Sequence, residues 1–282
     1  PVPPLPEADC TAEAPRLTIS VTRLEQLSPA LLELGCPARV YIPLEEVSRL
    51  ESLPGEGPEW CAVLPRVWRD RDEPALRTLL ERARALGFTG VLIGNLGHLP
   101  LVRGLDFHLY GDYGLNVFNS RSLAYLKDKE LESACVSFEL RFAQIRDLKK
   151  VLRAEAIVYG RLPLMITENC LVQNETGCRL DRQGLCVPED GPCRCGQPNV
   201  LVDRTGAAFP LLPAYGHRTE IQNSKPLYLA DRPEHRRLGL AYARLRFTTE
   251  TAEECVSVVQ NYLDAAPAAG DFTRGLYERG VE

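Results

Sequence analysis

Five of the ten cysteines in this 282-residue chain fall between positions 170 and 195, and that crowding is the first chemistry the sequence offers. The order is Cys170-x7-Cys178-x7-Cys186-x6-Cys193-x-Cys195. The spacing matches neither the paired C-x2-C knuckles of a zinc ribbon nor a ferredoxin run. Four thiolates drawn from five still suit a soft metal, and iron–sulfur clusters and structural zinc are both held in this way. The competing reading is disulfides or free thiols on a long loop, but disulfide frameworks belong to small secreted chains with poor cores. The remaining cysteines are scattered: Cys10 near the start, and Cys36, Cys61, Cys135 and Cys255 in apolar segments. Scattered core thiols beside one dense cluster predict a reducing, cytoplasmic setting and a metal site.

A second set of candidates follows short apolar runs. Asp112 and Glu139 each suit a general base or an ion pair with Arg161, and Asn116 stands beside the first. Arg161, next to Pro163, suits a bidentate clamp on a carboxylate or phosphate. Asn95 and Asn119 either bind substrate or satisfy turns and helix starts. No HExxH or GxSxG occurs, which removes the zincin and nucleophile-elbow signals. Cys135 with His217 is the nucleophile pair left on paper, yet Cys135 sits among apolar residues as an inert thiol would. His98 and His108, at strand ends or turns, read as structural.

These side chains have to be positioned by a repeating unit. Apolar runs at 17–21, 39–44, 60–67, 90–95, 107–118, 134–140 and 156–167 read as strands, and 240–247 reads as the eighth. Helical patterns separate them, with Asp72 and Pro74 opening one, Ser120 another (Leu123, Leu126 and Leu131 inward), and Phe142, Ile145, Leu148 and Leu152 marking the next. Thr251 with Glu254 forms a capping box for the last. Parallel neighbours need long crossovers, and here each crossover is a helix, so the alternation predicts an α/β fold, a (β/α)8 TIM-barrel-like parallel barrel. Between strands seven and eight lie the Cys-rich loop and a β-hairpin, 199–213, turning at Asp203–Gly206. The domain reading is a linker over 1–15 and a barrel over 16–282, with an insertion at about 168–235. Active sites of such barrels gather at the C-terminal ends of the strands, where the candidates above fall.

Composition sets outer bounds. Hydrophobic content of 45% and charged content of 25% are those of a globular protein, and no apolar stretch reaches membrane-span length. A net charge of −5 argues against a strong grip on a phosphate backbone by this chain alone, and Arg232, Arg236 and Arg237 read as a solvated face. The Pro-rich start, without a Met, reads as an interdomain linker of a longer protein.

The segments GVLIGNLGHL, LYGDYGLNVFNS, SFEL, YGRLPLMITENC, DRTGAAFPLLP, HRTEIQNSKPLYLAD and FTRGLYERGV together resemble the peptidase U32 family, the collagenase-like proteases. The resemblance implies a barrel-like fold and two kinds of activity. One is peptide-bond hydrolysis. The other is oxygen-independent hydroxylation of tRNA, rRNA or another aromatic substrate by proteins that hold a [4Fe–4S] cluster through four cysteines, the RNA-acting ones being linked to prephenate. Carried over by position, Cys170 and Cys178 match the first two ligands, and Cys193 and Cys195 stand near the later pair. The C-x-C spacing departs from the pattern, so Cys186 and His217 are alternates and zinc the alternative metal. Arg218 and Asn223, in the HRTEIQNSKP segment, join Asn95 and Asn119 as substrate-binding candidates. The expected partners are RNA or a small aromatic substrate, prephenate, and the N-terminal half of the same long protein, with no membrane. A non-catalytic module supporting that half is the third reading.

Overall fold

The computed structural model describes residues 4–7, 9–180, 186–187 and 194–280, with backbone alone at 180, 186 and 187. Its first seven strands are β1 (Arg16–Ser20), β2 (Arg39–Pro43), β3 (Glu59–Val63), β4 (Gly90–Ile93), β5 (His108–Gly111), β6 (Leu131–Cys135) and β7 (Arg153–Gly160). Between them run α1 (Pro29–Gly35), α2 (Leu44–Val47), α3 (Glu73–Ala85), α4 (His98–Val102), α5 (Ser120–Asp128) and α6 (Phe142–Asp147). The next stretch carries β8 (Pro163–Thr167), α7 (Leu171–Thr176), β9 (Arg179–Leu180), β10 (Cys186–Val187), β11 (Asn199–Val202), β12 (Ala208–Ala214) and β13 (Arg218–Gln222). β14 (Leu227–Tyr228) then pairs antiparallel with the end of β7, and β15 (Tyr242–Arg246) and α8 (Ala252–Leu263) complete the chain.

β15 lies between β7 and β1, and β6 pairs with β7, so eight parallel strands close on themselves as expected. Two compact units result: residues 1–160 with 227–282, which form the barrel, and residues 161–226. The second unit is a four-stranded antiparallel sheet in the order β11-β12-β13-β8, with the short β9–β10 pair. Its hairpin turns where expected, because Asp203 Oδ1 accepts from the backbone of Thr205 at 2.8 Å and of Ala207 at 3.0 Å. Residues 10 and 12 are tied to the barrel unit by Cys10 N to Lys150 O at 2.7 Å and Ala12 N to Gly239 O at 3.3 Å.

Local chemistry explains several boundaries. Ser28 caps α1 ahead of Pro29, and Thr251 with Glu254 forms the capping box of α8. Asn119, one residue before Ser120, caps α5 by accepting from Ser122 N at 2.9 Å. Asp72 precedes α3 without capping it, because its carboxylate accepts from Arg69 N.

Two expected strands come out differently. The sixth runs over Leu131–Cys135 rather than 134–140, because α5 stops at Asp128 and Glu130 takes a left-handed φ of 66°, delivering Leu131 into the sheet. Leu148 and Leu152 likewise lie beyond α6. The seventh apolar run is two strands in two sheets, broken at Gly160, whose φ is +115°.

The barrel interior is partly apolar, with Tyr41, Cys61, Leu92 and Tyr110 in one buried cluster. It is also strongly ionic. Arg39, Glu155 and Arg244 are each at most 3% exposed.

Candidate functional site

Asp112 follows β5 directly, at the C-terminal end of the barrel, and is buried. Its partner is Arg244 of β15, whose Nη1 donates to Asp112 Oδ1 at 2.6 Å. The same guanidinium donates to Glu155 Oε2, from Nε at 3.1 Å and from Nη2. Glu155 also accepts from Thr18 Oγ1 at 2.6 Å and from Tyr41 Oη at 3.1 Å. Arg39 Nη1 donates to Tyr41 Oη at 3.0 Å and to Ser133 Oγ at 3.2 Å, and its Nε donates to Glu59 at 2.8 Å. Its guanidinium lies 3.4 Å from the ring centre of Tyr110 and 4.7 Å from that of Tyr242. Burial by itself would raise the Glu155 carboxyl, but Arg244 and Arg39, with the hydrogen bonds from Arg244 and Thr18, hold it below the usual carboxylate range. A continuous polar chain therefore runs from β2 and β3 near the barrel floor to Asp112 at the mouth.

Above Asp112 the mouth is built around Tyr113. Arg66, following β3, places its guanidinium 5.1 Å from the Tyr113 ring centre, and Arg246, the last residue of β15, lies at 5.9 Å. Phe138 packs on the same ring at 5.8 Å. Two cations converging on an aromatic face favour an anionic group or a flat ring. Arg246 and Tyr113 were not legible as site residues, although both stand at strand ends in the expected barrel.

Glu45 is a further residue that motif reading missed. Arg39 and Tyr41 point inward along β2, and Glu45 lies two residues past the strand's end, in the first turn of α2. The carboxyl is partly exposed yet enclosed enough that burial, helped by the neighbouring Glu46, pushes its pKa up to about 7. Such a group can take or give a proton near neutrality.

Asn95 Nδ2 donates to Arg66 O at 3.0 Å, and Asn116 is exposed with a left-handed φ of 53°. Glu139 is exposed, and its backbone N–H donates to Ser137 Oγ at 3.3 Å. His98 is buried, accepting at Nδ1 from Gly94 N at 3.2 Å and lying 3.1 Å from Pro65 O through Nε2. Burial pushes its pKa down to about 4, against an ordinary value of about 6.5. The unfolded chain therefore takes up this proton first on acidification. Stability contributed by the neutral ring is fully present above pH ~6.5 and falls as the pH drops towards ~4, by roughly 3 kcal/mol in all. Denaturation of His98→Gln across that window should show a flatter pH profile than wild type. Cys135 is fully buried and its thiol is pushed up by burial, so it stays protonated and inert.

In the second unit, Arg161 Nη1 donates to Asn223 O at 3.1 Å and to Ser224 O, so Asp112 has Arg244 rather than Arg161 as its ion-pair partner. Asn223 Oδ1 accepts from Lys225 N at 3.2 Å. Arg218 forms a fork-to-fork pair with Glu168, at 2.9 and 2.7 Å. Cys170 Sγ lies 3.3 Å from Cys195 Sγ, although 25 residues separate them. Cys178, also buried, contacts Thr176 Oγ1 at 3.1 Å. Cys193 lies outside the described residues, and Cys186 is described only as backbone in β10. His217 holds a left-handed φ of 59° in the β12–β13 turn. Among the described residues no three His, Cys, Asp or Glu side chains form a metal-ligating group, and no helix is long and apolar enough to cross a membrane.

Comparison with curated proteins returned no significant match. Among solved structures the chain is similar to the U32 peptidase Mk0906, with a TM-score of 0.46 and 9% identity over 87% of this chain and 98% of that one. It is also similar to a mutant tryptophan synthase α-subunit from Pyrococcus furiosus, with a TM-score of 0.36 and 11% identity over 53% of this chain and 78% of that one. The sequence model of peptidase family U32 matches residues 53–199, more than half of the 282. By that match, this chain belongs to peptidase family U32.

Proposed function

We propose that this chain is a U32-family enzyme whose cysteine-bearing unit holds an iron–sulfur centre, most simply [4Fe–4S], and that it hydroxylates RNA or another aromatic substrate without oxygen. The observation that carries the reading is the contact between Cys170 and Cys195 Sγ at 3.3 Å. Folding brings two soft donors together from distant points of the chain, with a third buried thiol, Cys178, beyond α7. Cys170, Cys178 and Cys195 would hold the group, and Cys193, Cys186 or His217 is the sequence's offer for the remaining position. The same donors suit zinc, the alternative occupant. When bound, an iron–sulfur cluster supplies electron transfer.

The rest of the work falls to the barrel's own side chains. Arg66 and Arg246 attract an anionic group, whether an RNA phosphate or a carboxylate such as those of prephenate. Tyr113, itself buried, holds the two guanidinium groups against its ring. Glu45 exchanges a proton near neutral pH, and Asp112 is held rigidly by Arg244.

Anaerobic purification should give brown protein with roughly four irons per chain. Cys170→Ser and Cys195→Ser should each lower iron content at least several-fold while leaving the far-ultraviolet circular dichroism intact. Colourless, iron-free protein that retains activity, or one tightly held zinc per chain, would overturn the iron–sulfur assignment.

A further inference from the structure

At the opposite, N-terminal face of the barrel lies a cavity of about 310 Å³, lined by Ala12, Ala14, Arg16, Arg153, Ala241 and Tyr242. Arg16, Arg153 and Tyr242 are the first residues of β1, β7 and β15. β15 pairs with both β1 and β7; Arg16 stands opposite Tyr242 and Arg153 two residues before Tyr242's partner Glu155, so the two arginines flank Tyr242 with backbones roughly 12 Å apart. Thr18 and Glu155, two residues further along those strands, meet inside the barrel, so the period of two puts Arg16 and Arg153 on the same side of their strands, where both are exposed at the barrel rim. Tyr242 forms part of the lining, and the Arg39 guanidinium stacks on its ring.

Among the described residues neither Arg16 nor Arg153 makes a side-chain hydrogen bond or ion pair, in contrast to Arg39 and Arg244 inside the barrel. No acidic side chain lines the cavity. One wall is fixed, since Ala12 N is hydrogen-bonded to Gly239 O and Arg16 N to Ala241 O. Two exposed guanidinium groups at the rim of a small open recess without a counter-charge form a site of net positive potential. Each can present a planar fork to an oxyanion. The volume is at the small end of ligand sites and suits a compact anion.

We propose that the N-terminal face of the barrel binds one small dianion, a phosphate monoester or a dicarboxylate, clamped between Arg16 and Arg153 over Tyr242. The site is separate from the C-terminal mouth and does not depend on the metal. Catalysis in this fold belongs to the other face, so the ligand is an effector or a structural anion rather than the substrate.

The test is thermal unfolding and calorimetric titration of the whole chain with inorganic phosphate, with succinate, and with sodium chloride at matched ionic strength. Phosphate or succinate should raise Tm by several degrees in a saturable way while chloride does not. Whichever of the two binds more tightly names the class. Arg16→Gln and Arg153→Gln should each weaken that binding at least ~10-fold, the lysine variants less, and Arg121→Gln on α5 not at all. Ligand-free Tm and circular dichroism check that each variant is folded. The proposal fails if wild type shows no saturable response, if the glutamine variants bind as wild type does, or if Arg121→Gln weakens binding equally.

Discussion

Replacing Arg244 with methionine is expected to cost about 3–5 kcal/mol of stability, because it strands the carboxylates of Asp112 and Glu155 inside the barrel without their shared cation. Methionine keeps most of the side-chain volume, so the loss would report charge rather than a cavity. The pH dependence carries a second signature. In wild type the Glu155 pKa is depressed, so its contribution is present above the unfolded carboxyl pKa and is lost as pH falls through the folded value. Without Arg244, burial dominates and the folded pKa rises above the unfolded one. The variant should then be relatively most stable at acid pH and lose stability as pH rises through the raised value. Denaturant titrations at several pH values read both effects, and adding Asp112→Asn and Glu155→Gln to the variant should recover a large part of the loss at neutral pH. A neutral-pH cost below about 1 kcal/mol would mean that the network is solvated rather than buried.

Gly160→Ala is expected to be nearly as severe. A Cβ there would lie 2.0 Å from Arg246 O, a backbone atom of the neighbouring strand, and the φ of +115° is one that L residues rarely adopt. The position ends β7, pairs with Leu227 and begins the passage into the second unit, so the clash cannot be relieved by turning a side chain. The loss should be about 3 kcal/mol or more, seen as a fall in denaturation midpoint or failure to accumulate folded protein. Gly206→Ala is the internal comparison. Its φ is +84° with nothing within 4 Å of the added carbon, so only left-handed strain of about 1 kcal/mol applies. Equal effects at the two positions would show that conformation, not the approach to Arg246, sets the requirement.

The alternation of strands and helices was legible because each unit is local. Thr251 and Glu254 are three residues apart, and the Asp203–Gly206 turn closes on itself. The sixth and seventh strands were misplaced where apolar runs continued past a break: Glu130 and Gly160 carry the left-handed φ values that end each element, and hydrophobicity does not encode φ. The ionic interior was hidden for another reason. Arg244 is 89 residues from Glu155 and 132 from Asp112, and a charged residue in an apolar strand reads as outward-facing until its partner is placed opposite. Arg66, Tyr113 and Arg246 meet through strand order alone. In the cysteine cluster the spacing marked the segment, but only the fold of the second unit selects Cys170 and Cys195 as neighbours.

The separation between Arg244 and its two acids also bears on how the chain comes to be folded. During synthesis Glu155 emerges 89 residues ahead of the arginine that neutralises it, and Asp112 precedes that arginine by 132. Until β15 is made, seven nascent strands would enclose Asp112 and Glu155 with Arg39 but without the arginine that bonds both acids, and sealing them off from water is unfavourable. Such an unfinished barrel would favour staying open to water, and the last strand brings the missing cation and the missing sheet partner in one step.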